Sequence, residues 1–135
     1  MPQRGSERVL LVEDDAQVRA SVRRQLDSLG YRVTEADSGD AALGLLERGG
    51  DGSEAFAFDL VLSDVVMPGK ANGIQLAEAI ASRRPGLRVI LMSGYTENAM
   101  LQDGRLGEAA RLLIKPFRKV DLAQALREAL TVPVR

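Results

Sequence analysis

A chain of 135 residues, 45% hydrophobic and 27% charged, can bury one core of ordinary size. That excludes a disordered chain and predicts a single domain over 1–135, with its core at about 7–130 and a tail at 131–135. Its 18 basic and 19 acidic residues leave a formal charge of −1, and no run approaches the roughly 20 apolar residues of a membrane span, so neither nucleic acid nor membrane is an expected partner.

Met1 to Arg8 lack a signal-peptide core, so the expected location is cytoplasmic. There is no cysteine and no histidine. Thiolate and imidazole chemistry are therefore excluded on this chain, and carboxylates, hydroxyls and lysines remain.

The first strand is expected at Arg8–Val12, followed by Glu13-Asp14-Asp15. A helix over Ala16–Leu29 places Val18, Val22, Leu26 and Leu29 on one face, and Gly30 is its expected stop. Strand two is Arg32–Ala36 around Val33. Helix two is Gly39–Arg48, capped by Ser38, with Ala42, Leu45 and Leu46 inward. Gly49-Gly50-Asp51-Gly52-Ser53 then reads as an exposed insertion. Strand three is Phe58–Ser63, ending at Asp64. After a loop with Pro68, Gly69 and Gly73, helix three spans Ile74–Arg84, stopped by Pro85-Gly86. Strand four is Arg88–Met92, followed by Ser93. A short fourth helix is expected at Ala99–Gln102, cut off by Asp103-Gly104. Strand five is Arg111–Ile114, ahead of Lys115-Pro116. Helix five is Lys119–Leu130, with Leu122, Ala123, Leu126 and Leu130 inward.

Five alternations of strand and helix predict an α/β doubly wound sheet. Continuous apolar strands such as Val9–Val12 predict parallel strands buried on both faces. Groups just beyond the carboxyl ends of such strands meet in one crevice. Glu13, Asp14, Asp64, Ser93 and Lys115 all stand at such ends.

Each has an ordinary alternative role. The acidic triplet suits the start of a helix, where negative charge gains about 0.3–1 kcal/mol each. Asp64 suits a turn, and Lys115 a solvated strand end. Their conjunction points to chemistry instead. An ionised aspartate is an oxygen nucleophile that can attack a phosphoryl group. Its target is anionic, so a hard divalent cation on neighbouring carboxylates and a lysine must offset the charge, while a hydroxyl donates to a phosphoryl oxygen.

At Val9-Leu10-Leu11-Val12-Glu13-Asp14-Asp15, Asp59-Leu60-Val61-Leu62-Ser63-Asp64-Val65-Val66-Met67-Pro68-Gly69, Val89–Thr96 and Leu113-Ile114-Lys115-Pro116-Phe117 the sequence resembles the receiver domain of bacterial two-component response regulators. The resemblance spans about Glu7 to Leu130 and is similar in character to receivers of hybrid sensor kinases and to stand-alone receivers. It implies a flavodoxin-like five-stranded sheet in the order 2-1-3-4-5. It implies Asp64 as phosphoacceptor and Mg²⁺ ligand, Asp14 and the backbone carbonyl of Val66 as further direct Mg²⁺ ligands, and Glu13 as a ligand through water. Mn²⁺ would substitute for Mg²⁺. Ser93 and Lys115 would contact the phosphoryl group, and Lys115–Pro116 would be cis. The implied partners are a sensor histidine kinase or a histidine phosphotransfer protein, and a downstream protein at the face of helix four, strand five and helix five. Catalysis would be limited to the domain's own phosphorylation and dephosphorylation, so it is not expected to be an enzyme toward other substrates.

Some positions depart from the family pattern. Leu112 stands where the family usually carries the aromatic switch residue, and Gly94 where many relatives have alanine. Tyr95 is a candidate to take over part of the switch. Val66 and Tyr95 at the positions that tune phosphate lifetime imply a long-lived phosphorylated state. A pseudo-receiver acting only as an interaction module is the alternative that Leu112 favours. An aspartate-nucleophile phosphatase would need an acid where Val66 stands. A flavin phosphate would be repelled by Glu13-Asp14-Asp15.

Overall fold

The computed structural model describes residues 7–49, 58–65, 73–83, 87–93, 111–114 and 117–131. Five strands, β1 (Arg8–Val12), β2 (Arg32–Ala36), β3 (Leu60–Asp64), β4 (Arg88–Ser93) and β5 (Arg111–Ile114), form one sheet in the order β2-β1-β3-β4-β5. Every neighbouring pair is parallel. The predicted fold class and strand order are therefore observed. Four described helices accompany the sheet: α1 (Ala16–Ser28), α2 (Gly39–Gly49), α3 (Gly73–Arg83) and α4 (Lys119–Thr131), the last being the fifth helix of the sequence pattern. None of the described helices is long and apolar enough to cross a membrane.

The period of two along each strand divides the interior into two cores. Leu10, Val12, Val61 and Leu91 face α2 and α3, where Ala42, Leu46, Leu76, Ala77 and Ile80 meet them. Val9, Leu11, Leu60, Leu62, Ile90 and Met92 face α1 and α4, against Val22, Leu26, Leu122 and Leu126. The apolar faces expected on both helices are the buried ones; Ala129 also belongs to that of α4. Val18, Val33, Leu45 and Leu130 are only partly buried at the margins.

Local chemistry explains the element ends. Asp15 caps α1, its carboxylate accepting from the amides of Gln17 and Val18 at 2.9 and 3.1 Å. Gly30, at φ 94°, follows the last turn, and the amides of Gly30 and Tyr31 return to the carbonyls of Asp27 and Leu26. Ser38 Oγ accepts from Ala41 N, as its predicted capping role requires. In α4, Asp121 reaches back to the amide of Arg118 at 2.9 Å, and that bond holds its carboxyl below the usual carboxylate range.

Boundaries shift by a residue or two from the sequence pattern. β3 begins at Leu60, not Phe58: the Asp59 amide still donates to the Arg8 carbonyl at 2.9 Å, but the Arg8 amide donates to the Asp59 carboxylate and not to a main-chain carbonyl. It continues through Asp64, which pairs with Met92. β4 likewise includes Ser93. α1 stops at Ser28, α2 runs on to Gly49, α3 starts one residue early, and α4 takes Thr131 from the expected tail. The insertion beyond Gly49, the fourth helix and the rest of the tail lie outside the described residues.

Tyr31 fills the α1–α4 core at its end remote from the carboxyl ends of the strands. Burial pushes its phenol above the usual 10.0, the Arg127 charge opposing and the Glu7 charge adding. The unfolded phenol ionises first as pH rises. Stability from this group is therefore whole below about pH 10 and is lost as pH climbs through the raised folded value. Tyr31→Phe should flatten the alkaline limb of a plot of urea midpoint against pH. A limb as steep as in the wild type would assign that loss to other groups.

Candidate functional site

The ends of β1 and β3 build the site. The amide of Glu13 donates to the Ala36 carbonyl at 3.0 Å, prolonging the β1–β2 ladder by one residue. This leaves Glu13 over the sheet edge, only 1% exposed. Its carboxylate accepts from the Asp15 amide at 3.1 Å. Its carbonyl accepts from Arg19 Nη1 at 2.8 Å. The acidic triplet thus divides its labour. Asp15 is consumed as a helix cap, whereas Glu13 and Asp14 turn toward β3.

Asp64, 8% exposed, closes the group. One carboxylate oxygen from each of Glu13, Asp14 and Asp64 lies within 4.8 Å of the others. Two of the three residues are buried and Asp14 is exposed, so the group is open to solvent on one side. Holding three such oxygens together opposes Coulomb repulsion, which a hard cation would reverse. Ligand distances of about 2.0–2.6 Å put opposite oxygens of a Mg²⁺ or Ca²⁺ shell about 4–5 Å apart, so this spacing fits a hard divalent ion. An all-oxygen donor set on a chain without histidine or cysteine selects against zinc and copper.

The backbone under Asp64 is fixed from three directions. Ser63 Oγ, fully buried, donates to the Asp64 carbonyl at 2.9 Å. The Val65 amide donates to Met92 O at 3.0 Å, and the Gly73 amide to Val65 O at 2.9 Å. A Cβ on Gly73 would stand 2.2 Å from the Asp64 carbonyl oxygen and 2.8 Å from Val65 Cα. Only glycine lets α3 start this close to the strand end.

Of the predicted site residues, Glu13, Asp14 and Asp64 are brought together. Leu112 lies in β5 as expected, and Ser93, expected just past strand four, is the last residue of β4. Val66, Gly94, Tyr95, Lys115 and Pro116 lie outside the described residues. Arg19, Ser63 and Gly73 were not singled out by sequence pattern. Of these, only Gly73 carried a signal, as a glycine just ahead of a helix.

A doubly wound parallel sheet with a carboxylate trio at its carboxyl ends defines a class: an α/β domain with an acidic site at the edge where its strands stop. The chain belongs to the response regulator receiver domain family, which it matches over residues 9–127. It is 39% identical over 127 residues to the sensor kinase CckA of Brucella abortus, covering 93% of this chain and 13% of that protein. It is 32% identical over 123 residues to the response regulator receiver protein CpdR of the same organism, covering 91% of this chain and 96% of that one. It is 41% identical over 130 residues to the virulence sensor protein BvgS of Bordetella bronchiseptica, covering 90% of this chain and 10% of BvgS. The chain thus spans only a small part of the sensor proteins it matches. Among solved structures, the chemotaxis protein CheY4 of Vibrio cholerae superposes with a TM-score of 0.77 at 27% identity, covering 93% of this chain and all of that one. The receiver domain of NtrX from Brucella abortus gives 0.77 at 26%, covering 93% and 99%.

Proposed function

We propose that this receiver domain is a phosphoacceptor switch that takes a phosphoryl group onto Asp64 from a phosphohistidine on a partner protein. The observation that carries the proposal is the convergence of Glu13, Asp14 and Asp64 within 4.8 Å at the carboxyl ends of β1 and β3. The family match and the sensor kinases among the relatives support it.

An Asp64 carboxylate oxygen attacks phosphorus and forms a P–O bond. The N–P bond breaks, and its electron pair stays on the imidazole nitrogen, which takes up a proton. Bound Mg²⁺, or Mn²⁺ in its place, supplies the positive charge that lets an anionic nucleophile meet an anionic phosphoryl group. Asp14, Asp64 and the Val66 carbonyl would hold the ion directly, and Glu13 through water. Ser93 and Lys115 bind phosphoryl oxygens at the ends of β4 and β5. The partner is a sensor histidine kinase or a histidine phosphotransfer protein, since this chain has no histidine of its own. The output is a conformational change read by another protein at the face that includes β5 and α4. The domain works in the cytoplasm and catalyses only its own phosphorylation and dephosphorylation. Leu112 replaces the aromatic switch residue, and Tyr95 carries part of that role.

The test is intact mass after incubation with acetyl phosphate, with and without Mg²⁺. Wild type should gain one phosphoryl group only with the metal, and Asp64→Asn none. No gain under either condition would leave a pseudo-receiver, a module that binds partners without being phosphorylated.

A further inference from the structure

Behind the acidic site lies a second charged group. Arg19 sits on the first turn of α1 with its backbone amide on the Asp15 carbonyl at 2.9 Å. Its side chain turns back over the same turn. Nη1 donates to the Glu13 carbonyl at 2.8 Å, and Nε pairs with Glu35 of β2 at 3.1 Å. Glu35 stands beside Leu11 in the β1–β2 register. Its other oxygen takes Arg23 Nη1, a bond that holds the Arg23 guanidinium above its usual pKa. Arg19 is the better buried of the two arginines, its side chain 22% exposed against 42%.

This gives the peptide from Glu13 to Asp15 a brace on the side away from the carboxylates. The Glu13 carboxylate hangs from the residue whose carbonyl Arg19 grips. Resting on the reading of Glu13, Asp14 and Asp64 as a metal site, we propose that Arg19, anchored by Glu35, is a positioning residue that sets Mg²⁺ affinity by fixing the main chain of Glu13. Glu35 also offsets the guanidinium charge, which would otherwise oppose a nearby cation. Arg23 shares Glu35, but its hydrogen bonds run to Glu35 and Asp27 and not to the Glu13 turn, so it is the natural control.

The test is the Mg²⁺ dissociation constant, measured by isothermal titration calorimetry, for wild type, Arg19→Met, Arg19→Lys and Arg23→Met. Partners that orient metal ligands typically contribute 10–100-fold to affinity, so Arg19→Met should bind about tenfold more weakly. Arg19→Lys keeps the charge but loses the fork, and should weaken binding about threefold or more. Arg23→Met should stay within about twofold of wild type, since it leaves the Glu13 contact in place. If Arg19→Met binds Mg²⁺ as well as wild type, or more tightly because a positive charge is gone, the positioning role is overturned. Should Arg19→Met fail to fold, Arg19→Lys and Glu35→Gln carry the test, and unchanged constants in both overturn the role. A wild-type protein that takes up no Mg²⁺ would instead sink the metal reading itself, and this role with it.

Discussion

Asp64→Asn should make the metal-free protein more stable while abolishing its response to Mg²⁺. Three carboxylate oxygens within 4.8 Å repel one another, and two of the residues are buried, where water screens them poorly. An amide of the same shape removes one charge of the three. At an effective dielectric near 20 a pair this close repels by a few kcal/mol, and solvent around exposed Asp14 reduces the net gain to about 1–3 kcal/mol. In a metal chelator the variant should melt above wild type. Adding Mg²⁺ should raise wild-type melting by mass action and leave the variant unmoved. A variant that melts lower in chelator, or still rises with Mg²⁺, would show that Asp64 is not held against its acidic neighbours.

Gly73→Ala should be the most damaging conservative change available near the site. The added methyl would meet main-chain atoms at 2.2 and 2.8 Å, and neither can rotate away. Either α3 recedes or the strand end moves. Forced overpacking costs about 1–3 kcal/mol, occasionally more, and backbone-to-methyl conflict belongs at the upper end. A loss of about 3 kcal/mol lowers the melting point by roughly 10 °C in a domain of this size. Because the displaced backbone carries Asp64, Mg²⁺ affinity should fall along with stability. Ala at 73 with wild-type melting and wild-type Mg²⁺ binding would mean that α3 has room to slide. Gly44, where a methyl meets nothing within 4 Å, is the contrasting site at which Ala should be harmless.

Much of this arrangement was legible in the residues themselves. Val9–Val12 and Leu60–Leu62 are apolar without alternation because both faces of their strands are covered, a pattern that already names a parallel sheet. Strand ends then located Glu13, Asp14 and Asp64. Pattern alone did not separate Asp15 from its two neighbours. Three consecutive acids look alike until the backbone decides which one turns into the helix. Arg19 and Glu35 were equally silent. They are two ordinary charges 16 positions apart, joined only because β2 lies beside β1. Ser63 and Gly73 act through main-chain carbonyls, and no side-chain periodicity reports that. The extension of β3 to Asp64 escaped for a related reason, since its partner is the backbone around Met92.

The central position of β3 bears on how the site comes into being. This strand lies between β1 and β4, and the Arg8 amide meets the Asp59 carboxylate across 51 positions of chain. Closing a loop of that length costs conformational entropy before any contact rewards it. During synthesis, Glu13 and Asp14 emerge long before the residue they are to face, and β1–β2 alone cannot complete the site. The carboxylates therefore meet only once β3 has docked against β1 and carried Leu60, Val61 and Leu62 into the two cores. Substitutions in the acidic trio should change the folding rate only to the extent that this docking is complete at the rate-limiting step.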